Sequence, residues 1–419
     1  MGHIIKTPAG TYRANWRDGT GRQKAKTFRT KKDAAAFLAA TETALHRGSY
    51  VDPHAGRIRF GDYATRWLAT RNDEITTAAR DRSIMRTHVL PQWGSVPIGR
   101  IDHLSVQGWV TDLGSRVAPA TVTQCLRLAA GVLRTAVRDH LIGTNPCDGV
   151  KVPRSRRTGV CDQTISPAAL RCRLLPAIPD RYRALVAVAG GAGLRWGEGV
   201  GLRWDAIDLP GQELHVVRVA VEVAGHVTAK PYPKTRAGRR TIPLPDFVLD
   251  ALTWHRACFP PGPAGEVFTN TTGGPLRRTL FRARVWRPAL VVAGLLGRVD
   301  RLAKYKYRAV WPDPAGLEHS AEFTTERDAV AHVAKMAAGG LRFHDLRHSY
   351  ATWLVSNGAP INDVQAVMGH ERASTTLDRY THHSPDRGAR LRKLFADGLL
   401  TLDPVPGPET MQDPSEEGS

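Results

Sequence analysis

The chain has little of what defines several common protein classes. Its five cysteines, Cys125, Cys147, Cys161, Cys172 and Cys258, are odd in number and form no Cys-x-x-Cys pair, which argues against a disulfide framework and a zinc finger. No run of about 18 apolar residues occurs, and the first residues contain no apolar signal core, so neither a membrane span nor secretion is expected. Acidic residues are scarce beside basic ones: 39 Asp and Glu against 59 Lys and Arg give a formal charge of +20. So much uncompensated positive charge repels itself and points to a polyanionic partner, of which nucleic acid is the simplest. A reducing cytoplasm, where the DNA is, fits both observations. The 419 residues, 42% of them hydrophobic, suffice for two or three domains with sizeable cores.

Residues 1 to about 56 read as a small hairpin or three-stranded sheet, with runs around Tyr12 to Trp16 and Lys26 to Arg29 split by a turn at Asp18-Gly19-Thr20-Gly21. An alanine-rich helix follows from Lys31, with Thr30 as its cap. Eight Lys and Arg against two Asp between residues 12 and 40 give this module +6. A sheet face so charged suits a DNA groove, and Arg13, Arg17, Arg22, Lys24, Lys26 and Arg29 are its candidate contacts. From about 58 to 153 the pattern is helical, with Phe60, Tyr63, Trp67 and Leu68 spaced for one buried face and a second helix through Ile84 ending near Pro91. A basic connector containing Arg154, Arg156 and Arg157 comes next, suited to the phosphate backbone. From about 160 to 400 the pattern is again mostly helical. Its β interruption pairs Leu214 to Val223 with Arg239 to Leu244 as hairpin strands, with Lys234 and Arg236 at the tip. The last eighteen residues, from Leu402, hold five acids and no Lys or Arg, and are expected to be disordered.

Residues 12 to 40 laid over 307 to 335 agree without a gap at twelve of 29 positions, among them Tyr12 with Tyr307, Trp16 with Trp311, Gly21 with Gly316, and Phe28 with Phe323. The shared residues are core and turn types. Charge does not follow, since the second copy has three basic against five acidic residues, or −2. The expectation is a second copy of the N-terminal module, inserted near 297 to 340, that no longer touches DNA or touches it differently.

Near the C-terminus stand His344, Arg347, Gly369-His370 and Tyr380. A phenol with a free pKa of roughly 10 attacks a phosphodiester only where cations and a proton acceptor surround it. His344, Arg347 and His348 share one helical face. A zinc protease helix would carry Glu after its first His, and Asp345 stands there instead, so no metal is expected. Upstream, Arg195 and Glu198 fall on one face if a helix begins there, and an arginine so held can fork onto two phosphate oxygens.

Gly193-Leu194-Arg195-Trp196-Gly197-Glu198, Pro233-Lys234-Thr235, His344-Asp345-Leu346-Arg347-His348, Gly369-His370 and Leu377-Asp378-Arg379-Tyr380-Thr381-His382 together resemble, in order and spacing, the tyrosine recombinases of the phage integrase type. The resemblance spans nearly the whole chain. It implies an α+β multidomain fold: an arm-type DNA-binding module at 1–56, an all-helical core-binding domain at 57–153, and a mostly helical catalytic domain at 160–400 with a small sheet, to which the residues themselves add the inserted β-β-α module at 297–340 and a disordered acidic tail at 401–419. It implies Tyr380 as nucleophile, Arg195 and Arg347 as phosphate clamps and Lys234 as general acid. His344 and His370 would assist proton transfer, and Glu198 would support the site. No cofactor or metal is implied. The implied partners are double-stranded attachment sites, a homotetramer on two duplexes, and a directionality factor. A helix at 385 to 400 would pack in its own domain or dock on a neighbouring subunit. Two departures stand out: Gly199 and Gly201 where a helix should run, and the insertion ahead of His344. The alternatives are a catalytically idle DNA-binding regulator and a type IB topoisomerase-like relaxing enzyme.

Overall fold

A computed structural model of the protein describes residues 2–19, 21–48, 50–52, 55–153, 163–230 and 238–369. Arg154, Arg156, Arg157, Lys234, Arg236, His370, Tyr380, the helix expected at 385 to 400 and the tail from 401 all lie outside the described residues. The chain divides near residue 160 into two compact units.

The first unit opens with strands β1 (His3–Lys6), β2 (Tyr12–Arg17) and β3 (Gln23–Phe28) in an antiparallel sheet, followed by helix α1 (Lys31–His46). Alternation along β2 puts Ala14 and Trp16 on the face that α1 covers, where the Trp16 and Phe37 rings meet edge to face at 5.2 Å. The Thr30 hydroxyl accepts the Asp33 N–H and caps α1. The helices that follow are α2 (Phe60–Ala69), α3 (Ile75–Ile84), α4 (Leu90–Trp93), α5 (His103–Arg116) and α6 (Pro119–Arg138). Their apolar faces bury Phe60, Met85, Val89, Trp93, Trp109, Leu128 and Val132 in one core.

The helix through Ile84 ends at Trp93, near Pro91 as expected, but the proline lies inside it. A π turn over Met85–Val89 joins α3 to α4, and the helical path runs on to Trp93. A proline ring inside an α-helix collides with the carbonyl four residues back. Here the Leu90 N–H instead reaches five back, to the Met85 carbonyl, and the widened turn makes room for the ring. The same device recurs before Pro176 and before Pro288.

The second unit begins with α7 (Pro167–Ala169) and α8 (Leu175–Ala177), joined by the π turn ahead of Pro176. Then come α9 (Asp180–Gly191) and α10 (Trp196–Val200). Strands β4 (Ile207–Asp208), β5 (Glu213–Val216), β6 (Val219–Val223), β7 (His226–Lys230) and β8 (Arg240–Pro243) are followed by α11 (Asp246–Cys258). The expected pairing of one long strand over Leu214 to Val223 with Arg239 to Leu244 is corrected here. Only β5 pairs with β8, in a sheet ordered β4-β5-β8, while β6 and β7 form a separate hairpin. Its turn is Ala224-Gly225, both at positive φ, the geometry whose twist suits a two-residue hairpin.

Helices α12 (Arg278–Phe281) and α13 (Arg287–Val292) lead into β9 (Arg298–Ala303), β10 (Lys306–Pro312), β11 (Glu318–Phe323) and α14 (Glu326–Met336). This segment has the architecture of the N-terminal module: three antiparallel strands with the second central, then a helix. The likeness extends to side chains. Thr325 caps α14 through the Asp328 N–H as Thr30 caps α1. Trp311 meets His332 edge to face, as Trp16 meets Phe37, at interplanar angles of 67° and 66°. Gly21 and Gly316 both take positive φ in the turn after β2 and after β10. Helices α15 (Phe343–Ser356) and α16 (Ile361–Met368) complete the described chain. No helix among the described residues is long and apolar enough to cross a membrane.

Candidate active site

Three segments far apart in sequence converge through hydrogen bonds: the loop and helix start at 193–198, the start of α15, and the end of α16. Arg195 is the N-cap residue of α10. Its backbone N–H donates to one Glu198 carboxylate oxygen at 2.9 Å and its guanidinium to the other at 2.7 Å. The carboxylate is 3% exposed while the Arg195 side chain is 40% exposed, so the guanidinium is anchored at one edge and open at the other. A second nitrogen of that guanidinium reaches the Gly369 carbonyl at 3.4 Å.

Arg347 lies inside, 2% exposed. It donates to the Gly193 carbonyl at 2.6 Å and also to the Met368 carbonyl. Gly193 allows this approach because it holds φ at +63°, and a Cβ there would stand 2.5 Å from the Tyr350 ring. Gly369 ends α16 in the left-handed conformation, immediately before His370. Both arginines therefore bear on the backbone next to His370.

His344 opens α15 and its ring meets that of His348 edge to face at 4.8 Å. Its outer part meets solvent. Burial of the rest of the ring, followed by the charges of His348, Arg347 and Arg195, pushes its pKa below the ordinary imidazole value against the opposing pull of Asp345. The ring is therefore neutral at pH 7 and has an acceptor nitrogen, and the two guanidiniums beside it make it a weaker base than a free imidazole. The helix that presents it is held from behind: Asp345 accepts the Arg342 N–H and guanidinium, Ser349 Oγ accepts the Ile165 N–H, and Trp353 Nε1 donates to the Ile165 carbonyl.

Glycines explain how α10 fits. A Cβ at Gly197 would come within 2.5 Å of the Ala220 carbonyl oxygen, and one at Gly201 within 2.7 Å of the Ala220 nitrogen. The glycines therefore let α10 lie directly against the backbone of β6.

One buried group escapes a reading of the sequence. Arg240, at the start of β8, is 4% exposed and forks onto both Glu198 oxygens at 3.1 and 2.9 Å. Among its basic neighbours it reads as part of a solvated finger. The signal is the alternation Arg240, Ile242, Leu244, which places the arginine on the apolar face of its strand.

Two family models match the chain: the phage integrase central domain over residues 60–152 and the phage integrase family over 321–387. A Mycobacterium tuberculosis protein named as a prophage phiRv2 integrase is 28% identical over 409 residues, covering 94% of this chain and 95% of the relative. A protein of Caldanaerobacter subterraneus named tyrosine recombinase XerC-like is 25% identical over 396 residues, covering 88% and 90% respectively. The chain is a tyrosine recombinase of the phage integrase family. The fold agrees, with a TM-score of 0.59 and 18% identity to the Tn1549 transposon integrase solved in complex with circular intermediate DNA, over 80% of this chain and 100% of that one. The recombinase is thus an enzyme of DNA breakage and rejoining, with the α+β multidomain layout read from its sequence.

The candidate DNA contacts of the recombinase's N-terminal module fall into two groups. Arg13 and Arg17 alternate with Ala14 and Trp16 and lie on the sheet face opposite α1, and both are exposed. Arg22 and Arg29 are exposed at the two ends of the β3 segment. Lys24 and Lys26 face the helix side: Lys24 is bonded to Asp52 at 2.5 Å, and Lys26 sits over the Phe28 and Phe37 rings. The open-face reading is therefore corrected for these two lysines.

Proposed function

We propose that the recombinase is a site-specific integrase that breaks and rejoins DNA through a 3′-phosphotyrosine link formed by Tyr380. The observation that carries this reading is the convergence of Arg195 and Arg347 on the backbone at Met368 and Gly369, the residues before His370. Attack by the Tyr380 oxygen on a backbone phosphorus builds negative charge on the non-bridging oxygens. In this reading the two guanidiniums bear on that charge and lower the barrier by several kcal/mol, as oxyanion-hole donors do. His344 takes up the phenol proton with help from His370. The bond to the 5′ oxygen breaks, and Lys234 protonates the leaving oxygen. A 5′ hydroxyl of the partner strand then attacks the phosphotyrosine, restores the phosphodiester and frees Tyr380, so neither ATP nor a metal is consumed.

The substrates in this reading are paired double-stranded attachment sites, worked on by a homotetramer holding two duplexes in the cytoplasm, with a directionality factor choosing integration or excision. Residues 1–56 act as the arm-binding module, 57–153 as the core-binding domain and 160–400 as the catalytic domain. Arg13, Arg17, Arg22 and Arg29, with Arg154, Arg156, Arg157 and Arg236, lie along the phosphate backbone. The integrase of mycobacteriophage L5, 22% identical over 369 residues, supports the assignment to integration.

The test uses a nicked duplex carrying the joined ends of the mobile element, incubated with wild type and Tyr380→Phe. Wild type should give a covalent adduct at the 3′ phosphate and the variant none. An adduct that persists in the variant removes Tyr380 from the nucleophile position. Relaxation of supercoils without joined products would move the activity to a topoisomerase.

A further inference from the structure

We infer that Arg240 is a positioning residue of the phosphate site, holding Glu198 and the chain before His370 in the geometry that presents Arg195 to DNA. The inference rests on the proposed assignment of Arg195 and Tyr380. Arg240 forks onto both carboxylate oxygens of Glu198, and its Nε donates to the Val367 carbonyl at 2.6 Å. A further bond from the fork, to the Gly238 carbonyl at 3.2 Å, fixes the end of the segment that follows Lys234. One side chain thus ties together α10, the last turn of α16 and the start of β8. Those are the segments that carry or border Arg195, His370 and Lys234.

The division of labour follows from exposure. Glu198 binds two guanidiniums, one 4% exposed and one 40% exposed. A buried carboxylate with only the outer arginine would be poorly compensated, because water weakens that pair. The inner arginine supplies the compensation and leaves the outer one oriented but open to an incoming phosphate. A planar fork suits this position and an ammonium does not, since three acceptors in two directions must be met at once.

Titration of Glu198 reports on the arrangement. Burial alone would raise its carboxyl. Burial is the largest single influence, and only the Arg240 fork together with the charges of Arg240, Arg195 and Arg347 overcomes it and holds the carboxyl at about 2. The charged groups facing it are Arg195 from its own helix, Arg240 from β8 and Arg347 from α15. The folded value is below the ordinary 4.5, so the stabilisation is present above the ordinary value and is lost only as pH falls through about 2. Wild type should therefore show no acid limb from Glu198 between about pH 5 and 8. Without Arg240, burial is opposed only by Arg195 and Arg347, and the carboxyl shifts upward, which an acid limb reads out.

The experiment measures adduct formation at saturating nicked duplex, from pH 5 to 8, for wild type, Arg240→Met, Arg240→Lys, Glu198→Gln and the double variant Glu198→Gln with Arg240→Met. Arg240→Met should cut the rate roughly 10- to 100-fold, the order expected for a misplaced clamp, with DNA affinity changed less. It should gain an acid limb that wild type lacks. The double variant should lack that limb and be no slower than Arg240→Met alone, since both changes break the same ion pair. Arg240→Lys should fall between, and carries the same test if Arg240→Met does not fold. A variant with wild-type rate and pH profile, or one that loses only DNA affinity, overturns the inference. If wild type itself forms no adduct, the proposed function fails instead.

Discussion

Arg195 and Arg347 carry the same guanidinium in opposite surroundings, so the same substitution should have different consequences at each. Arg347 is buried and its donors satisfy the Gly193 and Met368 carbonyls. Replacing it with Ala orphans both acceptors, at about 1–3 kcal/mol each, and removes a phosphate donor besides. Arg195 is half in solvent, and its partner Glu198 keeps the Arg240 fork when Arg195 is replaced. Arg195→Ala should therefore leave stability within about 1 kcal/mol of wild type while reducing cleavage on the order of 100-fold or more. Thermal unfolding and adduct yield, measured on both variants, separate the two effects. Equal melting temperatures for the pair would contradict this account. The sequence marks both arginines through their spacing to Glu198 and His344, but not which is interior, because burial depends on chain segments more than a hundred residues away.

At the scale of elements, the glycines of α10 make a graded prediction. A methyl at Gly199 meets only the end of the Leu185 side chain, 2.9 Å from its Cδ1, and a flexible side chain can shift. A methyl at Gly197 or Gly201 meets the backbone of β6 at Ala220, which cannot move without carrying the hairpin along. Gly199→Ala should stay within about 1 kcal/mol of wild type, since the helix-propensity gain offsets the crowding. Gly197→Ala should cost about 1–3 kcal/mol and also slow cleavage, because α10 carries Arg195. Denaturant midpoints together with adduct rates test this; equal costs at the two positions would refute the close backbone approach. Starts and caps of helices are legible at this scale: Thr30 and Thr325 cap where their side chains and following acids announce it. Three features are not. The helix runs past Pro91 because a π turn absorbs the ring, and nothing in composition signals a wider turn. The hairpin turns at Ala224-Gly225, where alanine takes a left-handed conformation that it seldom adopts, so the apolar pattern reads as one strand straight through it. Arg240 passes for one of several basic surface residues because its partner is 42 positions away.

At the scale of the whole chain, the two sheet-plus-helix modules share a fold and differ in the face their sheets leave open. The shared fold shows in the sequence because the residues that agree, such as Trp16 with Trp311, are those the helix covers. Arg13 and Arg308 agree and lie on the open face, so the difference in function there rests on the neighbours that do not agree. In the first module that face presents Arg13 and Arg17 beside Gln23 and Thr27. In the second the corresponding positions are Arg308, Pro312, Glu318 and Glu322, and the charges pair among themselves: Arg298 with Glu318 at 3.2 Å, Lys306 with Glu322 at 3.0 Å and Arg308 with Glu322 at 3.7 Å. A cation already matched by an acid releases little counterion from DNA, whereas an unmatched one on an open face contributes to the salt slope. Replacing Arg13 and Arg17 together by Ala should reduce the slope of log affinity against log salt by about 2, near 0.9 for each phosphate no longer neutralised. Arg308→Ala should leave the slope unchanged. Fluorescence anisotropy on attachment-site DNA over a range of salt concentrations gives both numbers. A slope that falls as much for Arg308→Ala as for either N-terminal arginine would mean that the inserted module binds DNA in spite of its paired charges.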